Sequence, residues 1–242
     1  HLSLRRQRQM CIRDRGRTKH VFTHRVDSDG LRRIPDELIV EEPMSIRLDE
    51  ELVATTMRTP GDDFELAAGF CFTEGLLREA EIKSVRYCGQ GSASESEYND
   101  VTVDTAGTAA APTPRLGPSS SSCGICGAEA IEQLYNRLNK LEVEPFDLST
   151  ISTAASEITD QQALFTATGT VHAAAAFNRK GDLVLLREDI GRHNAVDKVI
   201  GRLLLDNKLP AKDLGLWVSS RASFEMVQKL SLIHISEPTR PY

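Results

Sequence analysis

The sequence predicts an α/β fold. Strand-like apolar runs alternate with stretches of helical apolar spacing, and turn-forming residues stand between them. From Arg33 to Leu48 the chain reads as an extended entry containing Pro35 and Pro43, and Leu52-Val53-Ala54-Thr55-Thr56-Met57 reads as a strand. Asp62 followed by Glu65 gives a capping-box-like start to a helix through Phe64, Ala67, Ala68, Cys71 and Phe72, which ends at Gly75 or soon after. Short strands follow at Ile82–Cys88 and Val101–Thr105. Residues 89–122 are otherwise rich in Gly, Ser, Ala and Pro, the composition of a mobile loop or an inter-domain crossing. Ile131, Leu134, Tyr135, Leu138 and Leu141 have helical spacing, so a helix begins near Ala128, and Ser149–Leu164 is a second helix candidate. Val171–Phe177 and Leu183–Arg187 flank Asn178-Arg179-Lys180-Gly181-Asp182, a hairpin signal. A helix with Val196, Val199, Ile200, Leu203 and Leu204 inward stops before Pro210. Leu214–Ser219 is a strand, and another helix runs from Ser220 to Lys229. No internal repeat is visible.

A chain of 242 residues suits one large domain or two small ones. It holds no run of about 18 apolar residues and no signal-peptide pattern, so it reads as soluble and cytoplasmic, without a membrane role. The five cysteines are an odd number, and Cys11, Cys71 and Cys88 are scattered, which argues against a secreted disulfide framework. Residues 1–19 carry a net +6 and residues 231–242 a net of zero, so −12 of charge falls on the body of the chain. An acidic body argues against nucleic-acid binding. Both ends, around Arg6–Arg15 and Ser231–Tyr242, look like translated sequencing-adapter read-through and are set aside as non-native tails. On that reading the natural chain is cut near Lys229.

Chemistry concentrates at Cys123-Gly124-Ile125-Cys126-Gly127, after Ser119-Ser120-Ser121-Ser122. Thiols three positions apart can bind a metal, exchange a disulfide or carry sulfur, provided that both face one point. Cys126 falls within a turn of the expected helix N-terminus, where unpaired N–H groups and the helix dipole favour the thiolate. A second polar segment, Arg187-Glu188-Asp189-Ile190-Gly191-Arg192-His193-Asn194, lies between a buried-looking strand and a helix, where open α/β sheets bind ligands. The plainer reading is an Asn194 or Asp189 helix cap among solvated charges. His172, entering an Ala-rich strand, reads as a hydrogen-bonded core residue rather than a ligand. Ser219-Ser220-Arg221 at a strand-to-helix turn suits either a phosphate or a simple serine cap.

Several long segments together resemble the FdhD family of formate dehydrogenase accessory proteins. They are Glu41-Glu42-Pro43, Met57-Arg58-Thr59-Pro60-Gly61, Ala67-Ala68-Gly69-Phe70, the Cys123–Gly127 loop, Thr168-Gly169-Thr170-Val171-His172, Arg187–Lys198 and Ser220–Val227, in the family's order from about Arg33 to Lys229. The resemblance implies a cytoplasmic sulfurtransferase that takes sulfur from a cysteine desulfurase as a persulfide. It passes the sulfur to the molybdenum cofactor, bis-molybdopterin guanine dinucleotide, before the cofactor enters formate dehydrogenase. It also implies a homodimer and no permanently bound metal. The implied fold is a cytidine-deaminase-like mixed sheet with helices on both faces, plus a smaller N-terminal part. In residue numbers, the division is 1–19 tail, 20–105 N-terminal part, 106–127 mobile loop, 128–230 deaminase-like part, incomplete at its end, and 231–242 tail.

Carried over by position, the persulfide falls on Cys123 and its companion thiol is Cys126. The family's cofactor-contacting stretch near its C-terminus has no counterpart before the tail. The residues suited to the anionic cofactor are Arg192, His193, Asn194 and Arg221, which stand at strand-end turns and supply donors for phosphate. A thioredoxin-like pair fits the cysteine spacing, but here a Ser/Pro-rich loop leads into it in place of a strand. A structural zinc site would need two further ligands at paired spacing, which the sequence lacks. A zinc deaminase needs His-x-Glu ahead of Cys-x-x-Cys, and no His-x-Glu occurs in the chain. The remaining alternative is a non-catalytic maturation module with a redox or zinc-binding cysteine pair.

Overall fold

The computed structural model describes residues 16–28, 30–87, 98–110 and 144–232. The cysteine loop with Cys123 and Cys126, the helix expected near Ala128, and Cys11 and Cys88 lie outside the described residues. The architecture is mixed α/β, as the alternation of periods predicts. Its order is β1 (Thr18–Asp27), β2 (Gly30–Ile39), β3 (Glu42–Leu48), β4 (Glu51–Arg58), α1 (Asp63–Thr73), β5 (Ser84–Tyr87), β6 (Asp100–Asp104), α2 (Leu148–Asp160), α3 (Ala163–Thr168), β7 (His172–Phe177), β8 (Leu183–Asp189), α4 (Arg192–Leu205), β9 (Gly215–Val218) and α5 (Phe224–Leu232). Among the described residues, no helix is long and apolar enough to cross a membrane.

The strands form three sheets: a β1–β2 ribbon, a four-stranded sheet in the order β4-β3-β6-β5, and a three-stranded sheet in the order β8-β7-β9. The extended entry read over 33–48 thus divides into the return strand of the ribbon and β3. Thr18 pairs with Ile39 and the Val40 N–H donates to Arg17 O at 2.8 Å, so residues 17–19 are built into the ribbon rather than standing apart as tail. At the other end α5 continues to Leu232, two residues past the boundary set at 230.

In the four-stranded sheet Met44, Ile46 and Leu48 point one way and, with Val101 and Val103, bury against Leu66, Ala67 and Cys71 of α1. Burial pushes the Cys71 thiol up to about 12, which keeps it unreactive. The alanine run of β7 serves two cores by the same period of two. Ala174 and Ala176 face α4 through Val196, Val199 and Ile200, whereas Ala175 and Phe177 face α2 through Ala154 and Ile158. Helices therefore cover both faces of the three-stranded sheet. The β7–β8 hairpin closes as its sequence predicts: Gly181 takes φ 90°, and Asn178 Oδ1 accepts from the Lys180 and Asp182 N–H groups.

Two local expectations change. Asp62 stands at the N-cap of α1 with φ 57° and makes no side-chain cap. Its carboxylate goes instead to Arg17 at 2.7 Å and Arg187 at 3.7 Å, while Glu65 takes Arg187 Nη2 at 3.0 Å. Long-range arginines outcompete the capping box. The helix expected over 149–164 breaks at Gln161–Gln162, because the buried Glu188 carboxylate accepts the Leu164 and Phe165 N–H groups at 2.9 and 2.8 Å and starts α3 there.

The two main sheets meet through α1 and α4. Gly69 and Gly201 face each other's helix: an ideal Cβ on Gly69 would lie 1.9 Å from Asp197 O, and one on Gly201 would lie 1.8 Å from Glu65 O. Phe72 packs into both cores, and Leu204 of α4 reaches the four-stranded sheet's core.

Candidate functional site

The turn from β8 into α4 is organised by Asp189, which is fully buried. Its Oδ1 accepts from the Gly191 N–H at 2.8 Å and from Asn194 Nδ2 at 3.0 Å. Its Oδ2 accepts from the Thr59 N–H at 3.2 Å and pairs with the buried Lys198 Nζ at 2.7 Å. A buried carboxylate needs such a set of donors to offset its lost hydration. Lys198 also donates to Thr59 O at 3.0 Å, and the Ile190 N–H donates to Thr59 Oγ1 at 3.0 Å. The end of β4 is thereby sewn to the start of α4.

Asn194 belongs to this seam. Its Nδ2 donates to Met57 O at 2.8 Å as well as to Asp189, and its Oδ1 accepts from Thr56 Oγ1 at 3.3 Å. With the side chain buried and both ends of the amide committed, Asn194 holds the turn in place and has no donor left for a ligand. It does not cap α4 either, since the N-cap is Gly191 without a side-chain bond.

Arg192 and His193 are half-buried and occupy the first turn of α4. Arg192 Nε is buried without a hydrogen-bond partner. His193 Nε2 lies 3.2 Å from Glu225 Oε2, yet it also lacks a hydrogen bond, so the approach is close but misaligned. Burial first, then the charges of Lys229 and Arg192, hold the His193 pKa below its ordinary value; Glu225 and Asp197 pull it the other way. The neutral imidazole is therefore favoured. Arg221 is exposed in the β9–α5 connection, four residues before Glu225, where its carbonyl accepts the Ser223 N–H at 3.0 Å. Ser223, rather than Ser219 or Ser220, meets the start of α5: its Oγ accepts from the Met226 N–H at 3.4 Å. Ser219 instead closes the sheet, its Oγ accepting the Ala173 N–H at 2.9 Å and standing 3.4 Å from His172 Nδ1. His172 is thus a hydrogen-bonded residue at a strand end.

An unpartnered Arg192 Nε and a histidine favoured in its neutral form stand in the first turn of α4, with Glu225 Oε2 3.2 Å from His193 Nε2 and Arg221 on the connection leading into α5. Sequence reasoning passed over Thr56, Thr59 and Glu225; Thr56 showed only as part of the strand run Leu52–Met57, and Thr59 and Glu225 only as members of the segments Met57–Gly61 and Ser220–Val227. Among the described residues, no group of three or more His, Cys, Asp or Glu stands close enough to hold a metal ion.

An α/β protein with this polar turn between β8 and α4 can be compared with known families. The model of the FdhD/NarQ family matches residues 39–237, and the chain belongs to that family. The sulfur carrier protein FdhD of Corynebacterium efficiens is 42% identical over 235 residues, covering 90% of this chain and 84% of that protein. The protein of the same name from Mycobacterium tuberculosis is 38% identical over 223 residues, covering 88% and 81%. Among solved structures, one from Desulfotalea psychrophila, assigned as a formate dehydrogenase accessory protein, is similar with a TM-score of 0.71 and 23% identity, over 92% of this chain and 83% of that one. That likeness speaks for the fold.

Proposed function

We propose that this chain is a sulfur carrier in formate dehydrogenase maturation. On this reading it is a cytoplasmic sulfurtransferase that accepts sulfur from a cysteine desulfurase as a persulfide on Cys123. It passes that sulfur to the molybdenum cofactor before the cofactor enters formate dehydrogenase. The observation that carries the reading is the family match over 39–237, which brackets the Cys123-Gly124-Ile125-Cys126-Gly127 segment, together with the sulfur-carrier names of the relatives. A cytidine-deaminase-like topology for the second half belongs to the same proposal.

The chemistry follows from thiolate reactivity. The Cys123 thiolate attacks the outer sulfur of the donor persulfide; the new S–S bond forms at Cys123 as the donor's S–S bond breaks, and the donor cysteine leaves as a thiolate. Cys126 then displaces hydrosulfide by closing a Cys123–Cys126 disulfide, which a thiol reductant reopens. The anionic cofactor is cargo. Arg192 and His193 at the start of α4 and Arg221 before α5 would bind its phosphates by charge-assisted and neutral donation, while Asn194 holds the turn beneath them.

Incubating the full chain with desulfurase and cysteine and measuring intact mass tests the first half. One added sulfur is expected on the wild type and, at least in part, on Cys126→Ser, and none on Cys123→Ser. An increment that survives Cys123→Ser, or that maps only to Cys126 or Cys88, overturns the assignment. No increment on the wild type favours the non-catalytic maturation module. For the cargo site, Arg192→Ala or Arg221→Ala should weaken binding of guanosine diphosphate about ten- to hundredfold in titration calorimetry, the worth of one hydrogen bond to a charged group. The melting temperature should barely move. Asn194→Ala should do the reverse, lowering stability by about 1–3 kcal/mol because it strands the buried Asp189 and Met57 acceptors. Unchanged nucleotide affinity in both arginine variants would return those residues to the protein surface.

A further inference from the structure

His172 begins β7, the middle strand of its sheet. Its register partner on β8 is Asp189, the last residue before the turn into α4. On the other side the end of β9 stands level with it, since the Ser219 N–H donates to Ala173 O at 2.9 Å. Alternation along the strand puts His172 on the same face as Ala174 and Ala176. That face carries α4 and α5, through Val196, Val199, Met226 and Leu230. Both helices begin at the end of the sheet where β8 and β9 finish, which is the His172 end. His172 therefore lies between the Gly191–His193 turn and the Ser220–Ser223 connection, on the side of the sheet where both lead into helices.

Ser219 sets the state of the ring. Its Oγ accepts the Ala173 N–H at 2.9 Å, where a strand carbonyl would otherwise do so, and it stands 3.4 Å from His172 Nδ1. Accepting from Ala173 leaves the hydroxyl proton free to meet Nδ1. A neutral imidazole that accepts at Nδ1 carries its own proton on Nε2. The ring is only half-buried, so the Nε2–H, directed away from Ser219, is open to a ligand. At the same end of the sheet Arg192 Nε is buried without a hydrogen-bond partner.

We propose that His172 is a further binding residue of the cargo site, donating its Nε2–H to a phosphate oxygen, and that Ser219 is the residue that positions it. This rests on the reading of the β8–α4 turn as the phosphate site. It goes beyond the core role expected of a histidine entering an alanine-rich strand. Alanines complete the core on this face, and a ring at its rim adds a donor that no apolar residue supplies.

Asparagine and glutamine separate the two ring nitrogens. An asparagine amide reaches about as far as Nδ1 and keeps the contact with Ser219, whereas a glutamine amide reaches about as far as Nε2 and keeps the outward donor. In titration calorimetry of the full chain with guanosine diphosphate, His172→Asn should weaken binding about tenfold, and His172→Gln should stay within about threefold of the wild type. Guanosine, which has no phosphate, should not distinguish the three. Nitrogen NMR of the His172 ring should show a protonated Nε2 and a bare Nδ1, and Ser219→Ala should let the two tautomers mix. Unchanged affinity in His172→Asn, while Arg192→Ala still weakens binding, overturns the role of His172 and leaves the phosphate site standing. Equal losses in the asparagine and glutamine variants, a loss that guanosine also shows, or a wild-type ring protonated on Nδ1 overturns it as well. A wild type that does not bind guanosine diphosphate removes the phosphate site itself, and this proposal with it.

Discussion

Gly201→Ala is expected to cost at least about 3 kcal/mol, at the upper end of what overpacking a core does. The obstacle is main chain on both sides. The added methyl would stand 1.8 Å from Glu65 O and 2.7 Å from the Gly69 nitrogen, and the reciprocal change at Gly69 would meet Asp197 O at 1.9 Å. Backbone atoms cannot rotate away as a side-chain tip can, so α1 and α4 would have to separate. Separation would stretch the Thr73 Oγ1 to Asp197 Oδ1 bond of 2.9 Å and the Arg202–Glu65 approach of 3.5 Å, and would open the contacts of Phe72 with both cores. Gly75→Ala is the control. Nothing stands within 4 Å of a Cβ there, and only its φ of 69° opposes a side chain, which costs about 1–2 kcal/mol. Urea melts of the two variants decide the matter: a Gly201→Ala penalty no larger than that of Gly75→Ala would mean that the helix crossing tolerates a methyl and that the sheets are joined some other way.

What the sequence could and could not reveal follows the range of the interactions. The β7–β8 hairpin is legible because Asn178, Gly181 and Asp182 satisfy one another within five residues. The core face of α4 is legible because burial of Val196, Val199, Ile200 and Leu203 imposes a period. The capping box at Asp62 and the unbroken helix over 149–164 are misread because Arg17, Arg187 and Glu188 arrive from far along the chain. The candidate site divides in the same way. Arg192 and His193 stand out as polar residues in an apolar setting. The role of Asn194 is hidden, since its acceptor Met57 O is 137 positions away. Nor does a sequence show that Gly69 and Gly201 touch, because each looks like an ordinary weak point in a helix.

Lys229→Met should destabilise the chain by about 3–5 kcal/mol, the usual result of leaving one member of a buried ion pair alone. Lys229 Nζ donates to both oxygens of the buried Asp197, at 2.9 and 2.8 Å, and to Thr73 Oγ1 at 2.8 Å, and it lies 3.3 Å from Glu74. Burial opposes the lysine's charge, yet Asp197 and Glu74 outweigh it and raise the Lys229 pKa. Burial pushes Asp197 upward too, against Lys229 and Thr73. The three hydrogen bonds donated to the carboxylate, two of them from the ammonium, favour the ionised pair. Without the ammonium, the carboxylate is left with desolvation and its pKa rises further. A folded-state pKa raised above the unfolded value stabilises the fold at low pH and loses that contribution as pH rises through it. The Lys229→Met penalty in urea should therefore be smaller at pH 5 than at pH 7, and Asp197→Asn combined with Lys229→Met should recover much of the loss. The same lysine anchors α5, whose first turn brings Glu225 beside His193, so the single variant should also alter guanosine diphosphate affinity while the double variant restores it. A penalty below about 1 kcal/mol, or one that does not depend on pH, would show that α5 is held by Met226 and Leu230 in the apolar core rather than by this charge pair.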